Sequence, residues 1–212
     1  MVLASAPKRL RPGDRAPDFE LPAADREGLV SLAEYRQKRP VLLALFRGLY
    51  CAFCRREMTQ LAVSAQKLER LGVTTLAVVA TVSERARLYF RFHPSRYAVG
   101  ADPDLKTHHA YGLQQLPKTP EVGQMVEAAA AEMARDLGIA TKPGGATEAI
   151  QRFDGFEFVE SDWKDAERDQ SLVIGQFLVD REGIVRWIHI EQRPGDLPTE
   201  EQLTSAVKAL LV

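Results

Sequence analysis

The chain has 212 residues, of which 45% are apolar and 27% charged, and its formal net charge is −1. This is the composition of a globular domain large enough to bury a substantial core, and a near-neutral balance gives no electrostatic reason to expect nucleic acid or an anionic membrane as a partner. No stretch approaches the length of a membrane-spanning helix. The first residues lack the apolar centre of a secretory signal, so the expected location is the cytoplasm.

In chain order, residues 1–11 read as a flexible arm and 12–212 as a single domain. Pro12, Gly13, Asp14 and Pro17 lead into a short extended piece ending near Leu21. Residues 28–31 are its expected hairpin partner, and Ser31 is placed to cap a short helix reaching Tyr35. Residues 41–46 (Val-Leu-Leu-Ala-Leu-Phe) are apolar on both faces, as in a central strand covered on both sides. Residues 52–71 read as an amphipathic helix, because Cys54, Met58, Leu61, Ala65 and Leu68 recur at spacings of four, three, four and three.

A second strand is expected over 73–80, then a helix over 83–93 capped by Ser83 and ended by Pro94. A short strand follows over 97–101. Asp102-Pro103 is expected to open a helix running to Tyr111, with proline at the favoured first position. Strand and helix alternating in this order imply a parallel sheet with right-handed crossovers. Residues 117–168 break the rhythm and read as a partly helical insertion: a loop with Pro117 and Pro120, an alanine-rich helix over 121–137, a turn at 143–145, and an acidic stretch over 157–169 without clear periodicity. The insertion either lines the cysteine site or serves as surface decoration or an oligomer contact. The pattern then resumes with strands over 171–179 and 184–191 joined by a tight turn at 180–183. A closing helix over 199–211 carries a capping box of Thr199 and Gln202.

The only two cysteines stand in Cys51-Ala-Phe-Cys54 at the start of the 52–71 helix. Residues three apart on a helical turn face each other closely enough for a disulfide. The helix N-terminus favours a thiolate, and Arg47, Arg55 and Arg56 add positive charge in the same direction. A two-residue loop closure does little to restrict an unfolded chain, so a purely stabilising disulfide explains the pair poorly. The residues therefore point to redox chemistry. Two other readings compete: a zinc site, for which the pair supplies only two ligands and His93, His108, His109 and His189 have no ligand-like spacing, and a redox-silent binding module.

Several stretches resemble the alkyl hydroperoxide reductase/thiol-specific antioxidant superfamily, the peroxiredoxins and their relatives. The opening Pro12-Gly-Asp-Arg-Ala-Pro-Asp-Phe-Glu-Leu21 is similar to theirs, as are Asp102-Pro-Asp-Leu105, Ala110-Tyr-Gly112 and Gly175-Gln-Phe-Leu-Val-Asp-Arg-Glu-Gly183. The resemblance implies an α/β thioredoxin-like fold, with a mixed central sheet flanked by helices on both faces. It implies a thiol-dependent oxidoreductase with antioxidant function, no cofactor beyond a redox-active Cys51–Cys54 disulfide, and no metal. The implied partners are a hydroperoxide or disulfide substrate, an external thiol reductant such as a thioredoxin or glutaredoxin system, and a second copy in a homodimer.

Against the family frame Pro-x-x-x-Thr/Ser-x-x-Cys, this chain reads Arg47-Gly-Leu-Tyr-Cys51-Ala-Phe-Cys54. Cys54 falls at the peroxidatic position, Cys51 replaces the hydroxyl residue and Arg47 the proline. Ile174 stands where the family has an activating Arg and where thioredoxins have a cis-proline. The frame makes Cys54 the attacker of hydroperoxides and Cys51 its resolver. A thioredoxin-type disulfide exchange reverses the roles, because Cys51 is nearer the helix tip and less buried. Arg47, Tyr50 and Arg55 are the candidates to tune the sulfurs. Phe90, Phe92, Phe153, Phe156, Phe158 and Trp163 are candidates to line an apolar substrate pocket.

Overall fold

A computed structural model describes residues 9–211; residues 1–8 of the expected N-terminal arm lie outside them. A hairpin of β1 (Glu20–Pro22) and β2 (Leu29–Ser31) precedes the body of the molecule. A short 3-10 turn, Ala33–Tyr35, follows, and the Ser31 hydroxyl accepts from the Ala33 N–H. The central sheet contains β3 (Val41–Phe46), β4 (Thr74–Val79), β5 (Ala98–Ala101), β6 (Gly175–Val179) and β7 (Val185–Ile190), in the order β5-β4-β3-β6-β7. Strand β3 is parallel to β4 and antiparallel to β6; β4 and β5 are parallel, and β6 and β7 antiparallel.

The period of two in β3 divides the core. Leu42, Ala44 and Phe46 face one apolar cluster and Val41, Leu43 and Leu45 the other. Over the first face lie α1 (Ala52–Arg70), α2 (Ser83–Phe92) and α7 (Glu200–Leu211), through Met58, Leu61, Ala86, Tyr89, Leu203 and Val207. Over the second lie the β1–β2 hairpin and the end of α3 (Lys106–Ala110), with Leu21, Val30 and Tyr111. The fold is thioredoxin-like, with helices on both faces of a mixed sheet. In α1 the expected stripe is buried throughout, and α7 opens with the reciprocal Thr199–Gln202 bonds of a capping box.

Four local expectations are corrected. Ser83 does not cap α2: the Ala86 N–H already bonds the Val82 carbonyl, so the helix begins one residue earlier and Val82 is its N-cap. Asp102-Pro103 does not start a helix. The Asp102 carboxylate instead accepts from the Thr107 N–H at 2.7 Å across a turn whose Leu105 has φ +59°, and only Lys106–Ala110 is helical. The strand expected from 171 starts at Gly175, because Leu172 and Val173 pair with residues 114–115. The acidic stretch contains a regular helix, α6 (Glu160–Asp169), whose buried residues are Asp162, Asp165 and Asp169. With α4 (Pro120–Asp136) and α5 (Ala146–Ile150), α6 makes the segment 117–168 largely helical.

Candidate redox site

Strand β3 delivers the chain to the site at its C-terminal end, and the turn 47–50 reverses it into α1. Gly48 is required there: a Cβ would lie 2.9 Å from the Tyr50 ring and 3.0 Å from the Ala80 carbonyl. Cys51 is the N-cap of α1, and its sulfur accepts the Cys54 N–H at 3.3 Å, the bond that an Asp or Ser makes at an ordinary N-cap. Both thiols are free. Cys51 is 6% exposed and Cys54 wholly enclosed.

Arg47 is the centre of the arrangement. Its Nε donates to Cys51 Sγ at 3.4 Å, Nη1 to the Leu172 carbonyl at 2.6 Å, and Nη2 to Glu191 Oε1 at 2.9 Å. One buried guanidinium thus ties the cysteine turn to the segments entering β6 and leaving β7. Burial opposes its charge, but Glu191 and then Cys51 outweigh that and hold it firmly protonated. For Cys51, burial alone raises the thiol pKa. The Cys54 hydrogen bond, the Arg47 charge and the Cys54 N–H together overcome that and leave it well below the usual thiol range. Cys54 goes the opposite way: burial, the hydrogen bond to Cys51 and the Cys51 charge all push it up. The two sulfurs are therefore unequal: Cys51 is the readier to ionise and Cys54 the more firmly held as a thiol.

Tyr50 is also brought to the site. Its ring folds over Gly48, and burial followed by the Cys51 charge keeps its hydroxyl protonated. Arg55 is not brought there, although it follows Cys54 directly. Its guanidinium is spent on Asp154 (2.7 and 3.2 Å) and on the carbonyls of Leu49 and Gln151, and it lies 4.0 Å over the Phe156 ring. A helix start orients Arg55 away from the cap, so its role is to hold residues 151–156 against α1. Arg56 pairs with Asp136 at the surface.

Cys51, Arg47 and Tyr50 line a cleft of about 1160 Å³. The segment 117–168 forms much of its wall, including Val122, Met125, Phe156, Phe158 and Trp163. Of the aromatic residues expected there, Phe90 is instead in the core and Phe92 projects into solvent, while Phe153 packs under α4 and α5. Phe53, not among the expected residues, does line the cleft. Sequence reasoning also missed Glu191, Gln176 and Glu57. Glu57 had a signal: a carboxylate three residues after Cys54, beside the apolar stripe. Glu191 had none, since nothing local marks a residue just past a hairpin strand as the partner of Arg47.

A mixed sheet with a Cys-x-x-Cys pair at the start of its central helix, one sulfur bonded by a buried arginine and the other enclosed, defines a thiol-based oxidoreductase of thioredoxin-like fold. The chain belongs to the AhpC/TSA family, whose sequence profile matches residues 12–188. No curated protein matches it significantly. Among solved structures it is similar to a reduced 2-Cys peroxiredoxin from Plasmodium vivax (TM-score 0.61, 15% identity, covering 94% of this chain and 81% of that one). It is similar to peroxidoxin BcpB from Mycobacterium tuberculosis (TM-score 0.59, 11% identity, 96% and 97% covered). A Chlorobium tepidum protein described as thiol:disulfide interchange protein DsbE is likewise similar (TM-score 0.58, 22% identity, 96% and 99% covered). At these identities the likeness is one of fold.

Proposed function

We propose that this protein is a dithiol–disulfide oxidoreductase in which Cys51 attacks and Cys54 closes the disulfide. The observation that carries this reading is the inequality of the sulfurs. Cys51 is stabilised as a thiolate by Arg47 and the helix cap and faces the cleft, whereas Cys54 is enclosed and held protonated. A thiolate is the nucleophile in exchange, and a lowered thiol pKa raises the thiolate fraction at neutral pH. The Cys51 thiolate attacks one sulfur of a substrate disulfide, forming a mixed disulfide and expelling the other sulfur as a thiolate. Cys54 then attacks the Cys51 sulfur and releases the second substrate thiolate. Electrons return from an external dithiol such as a thioredoxin or glutaredoxin, and no cofactor beyond the two thiols is needed.

Family membership favours a second reading, hydroperoxide reduction. Its balanced form also uses Cys51: the thiolate attacks the O–O bond, an alcohol leaves, and Cys54 displaces water from the Cys51 sulfenic acid. Cys54 is a poor attacker despite its place in the family frame, because it is enclosed, held as a thiol, and has Ile174 where an activating Arg is expected.

The test is stopped-flow oxidation of the fully reduced protein by a peptide disulfide, hydrogen peroxide and an organic hydroperoxide, with Cys51→Ser and Cys54→Ser alongside. Fast reaction with the peptide disulfide should vanish in Cys51→Ser and stall as a mixed disulfide in Cys54→Ser. Rapid hydroperoxide consumption that survives Cys51→Ser and disappears in Cys54→Ser would overturn the proposal.

A further inference from the structure

Two of the large apolar side chains left in water border the cleft that holds Cys51. Trp163 is 63% exposed and packs on Phe158 at 4.5 Å, and Leu116 is 39% exposed. Val122 and Met125 add to the wall from α4, and Phe53 borders it from α1. Single exposed apolar residues are ordinary on a protein surface. Several of them gathered around a reactive sulfur are the lining that a binding cleft presents to an apolar group.

The main chain beside the sulfurs has little to offer a substrate. Residues 171–174 lead into β6 next to the cysteine turn, since Arg47 bonds both the Cys51 sulfur and the Leu172 carbonyl. Residues 114–116 already pair with this segment: the Val173 N–H donates to the Gln114 carbonyl and the Leu116 N–H to the Ser171 carbonyl. The Leu172 N–H donates to the Asp169 carbonyl, and the Ile174 carbonyl accepts from the Glu191 N–H. A peptide that binds by adding a strand needs a free edge. Here the chain itself occupies that edge.

We propose that the site selects peptide disulfides in which an aromatic or large aliphatic residue flanks the cysteine, and that Trp163, Phe158 and Leu116 read that side chain in place of main-chain pairing. This rests on the reading that Cys51 attacks and Cys54 closes. The bonds made and broken are the same as for any disulfide. Cys51 bonds one peptide sulfur and expels the other as a thiolate; Cys54 then bonds Cys51 and frees the first peptide sulfur. The peptide disulfide takes up the two electrons that the cysteine pair gives up, and the Cys54 proton and one from solvent complete the two product thiols. Seating the flanking side chain on the wall holds the peptide S–S bond at Cys51, so the selection falls on the attack.

The experiment mixes the reduced full-length protein with the disulfide-linked dimers of acetyl-Phe-Cys-amide and acetyl-Gly-Cys-amide, and follows the released peptide thiol by acid quench and mass spectrometry. Each second-order rate constant is divided by that of dithiothreitol with the same peptide, which removes the difference in leaving thiol. On this scale the Phe dimer should react about tenfold faster than the Gly dimer, the discrimination expected of an apolar pocket. An analogue with an ester in place of the Phe–Cys amide lacks that main-chain donor and should keep the advantage. Trp163→Ala should lower the advantage; most of Trp163 lies in water, so its loss leaves the core in place. Equal normalised rates for the two dimers, an advantage unmoved by Trp163→Ala, or one abolished by the ester overturns the assignment. Rates no greater than those of dithiothreitol with both dimers, or release that survives Cys51→Ser, would instead overturn the underlying reading of the two sulfurs.

Discussion

In the sheet, Leu43, Leu45, Leu76 and Phe177 lie against one another fully buried, and their contribution comes from apolar area removed from water. The segment 117–168 makes two apolar contacts with the rest: Ala52 meets Ala130, Met133 and Ile150, and Phe156, with Phe158 and Ala166 beside it, joins the core cluster that contains Ala86 and Tyr89. It is otherwise held by guanidinium groups from the body of the molecule: Arg55 on Asp154 and the Gln151 carbonyl, and Arg85 on Asp162 and the Glu157 carbonyl. Apolar burial is large and non-directional, whereas charge-assisted hydrogen bonds are directional and fix where a surface sits. The sheet therefore sets whether the protein folds, and the arginines set where the cleft wall stands relative to Cys51.

The largest expected effect breaks the sheet. Phe177, fully buried and edge-on to Tyr111 at 4.8 Å, should cost about 3–5 kcal/mol when replaced by Ala. Urea unfolding should show that loss over the whole molecule, and a change under about 1 kcal/mol would contradict the placement of the core.

A polar group is the next point of sensitivity. His108 is buried, its Nε2 lies 2.9 Å from the Phe46 carbonyl, and its Nδ1 has no partner among the described residues. Burial lowers its pKa to about 4. Between the unfolded value of about 6.5 and that folded value, the unfolded chain binds the extra proton. Stability carried by neutral His108 is thus complete above pH 6.5 and is lost as pH falls towards 4. The loss amounts to about 3 kcal/mol. His108→Phe should remove that part of the pH dependence, whatever it does to stability at pH 7; denaturant midpoints at pH 7 and pH 4.5 for both proteins check it.

The smallest effect is confined to the wall. Arg55→Met keeps the volume but frees Asp154, which rehydrates at the surface, and leaves two carbonyls without their donor. The expected cost is about 2 kcal/mol. It should appear as faster hydrogen exchange over residues 150–158 and altered emission from Trp163, with exchange in the sheet unchanged. Faster exchange throughout the sheet would show that the two regions are one cooperative unit.

Much of the fold was readable because its signals are local. Strand β3 is apolar at every position, α1 carries a stripe with helical period, and Thr199 and Gln202 are the two halves of one cap. Helix α6 was not readable for a specific reason. Its inward face is Asp162, Asp165 and Asp169, so a search for apolar periodicity finds nothing, and the face makes sense only once Arg85 and Arg168 meet it. The start of α3 failed similarly: Asp102 supports the helix from five residues back, across a left-handed Leu105, rather than from the adjacent cap position.

The candidate site divides along the same line. Sequence alone determined that two cysteines three apart begin a helix behind a buried strand, with Cys54 on the core side and Cys51 at the tip, because helical spacing and strand hydrophobicity act within a few residues. Only the tertiary structure decided which arginine acts on the sulfur. Arg47 and Arg55 look alike in the sequence, yet one meets Cys51 and Glu191, the latter 144 residues away, and the other turns to Asp154. The influence of a charge depends on its distance and on the water between, and both are set by where distant segments come to rest.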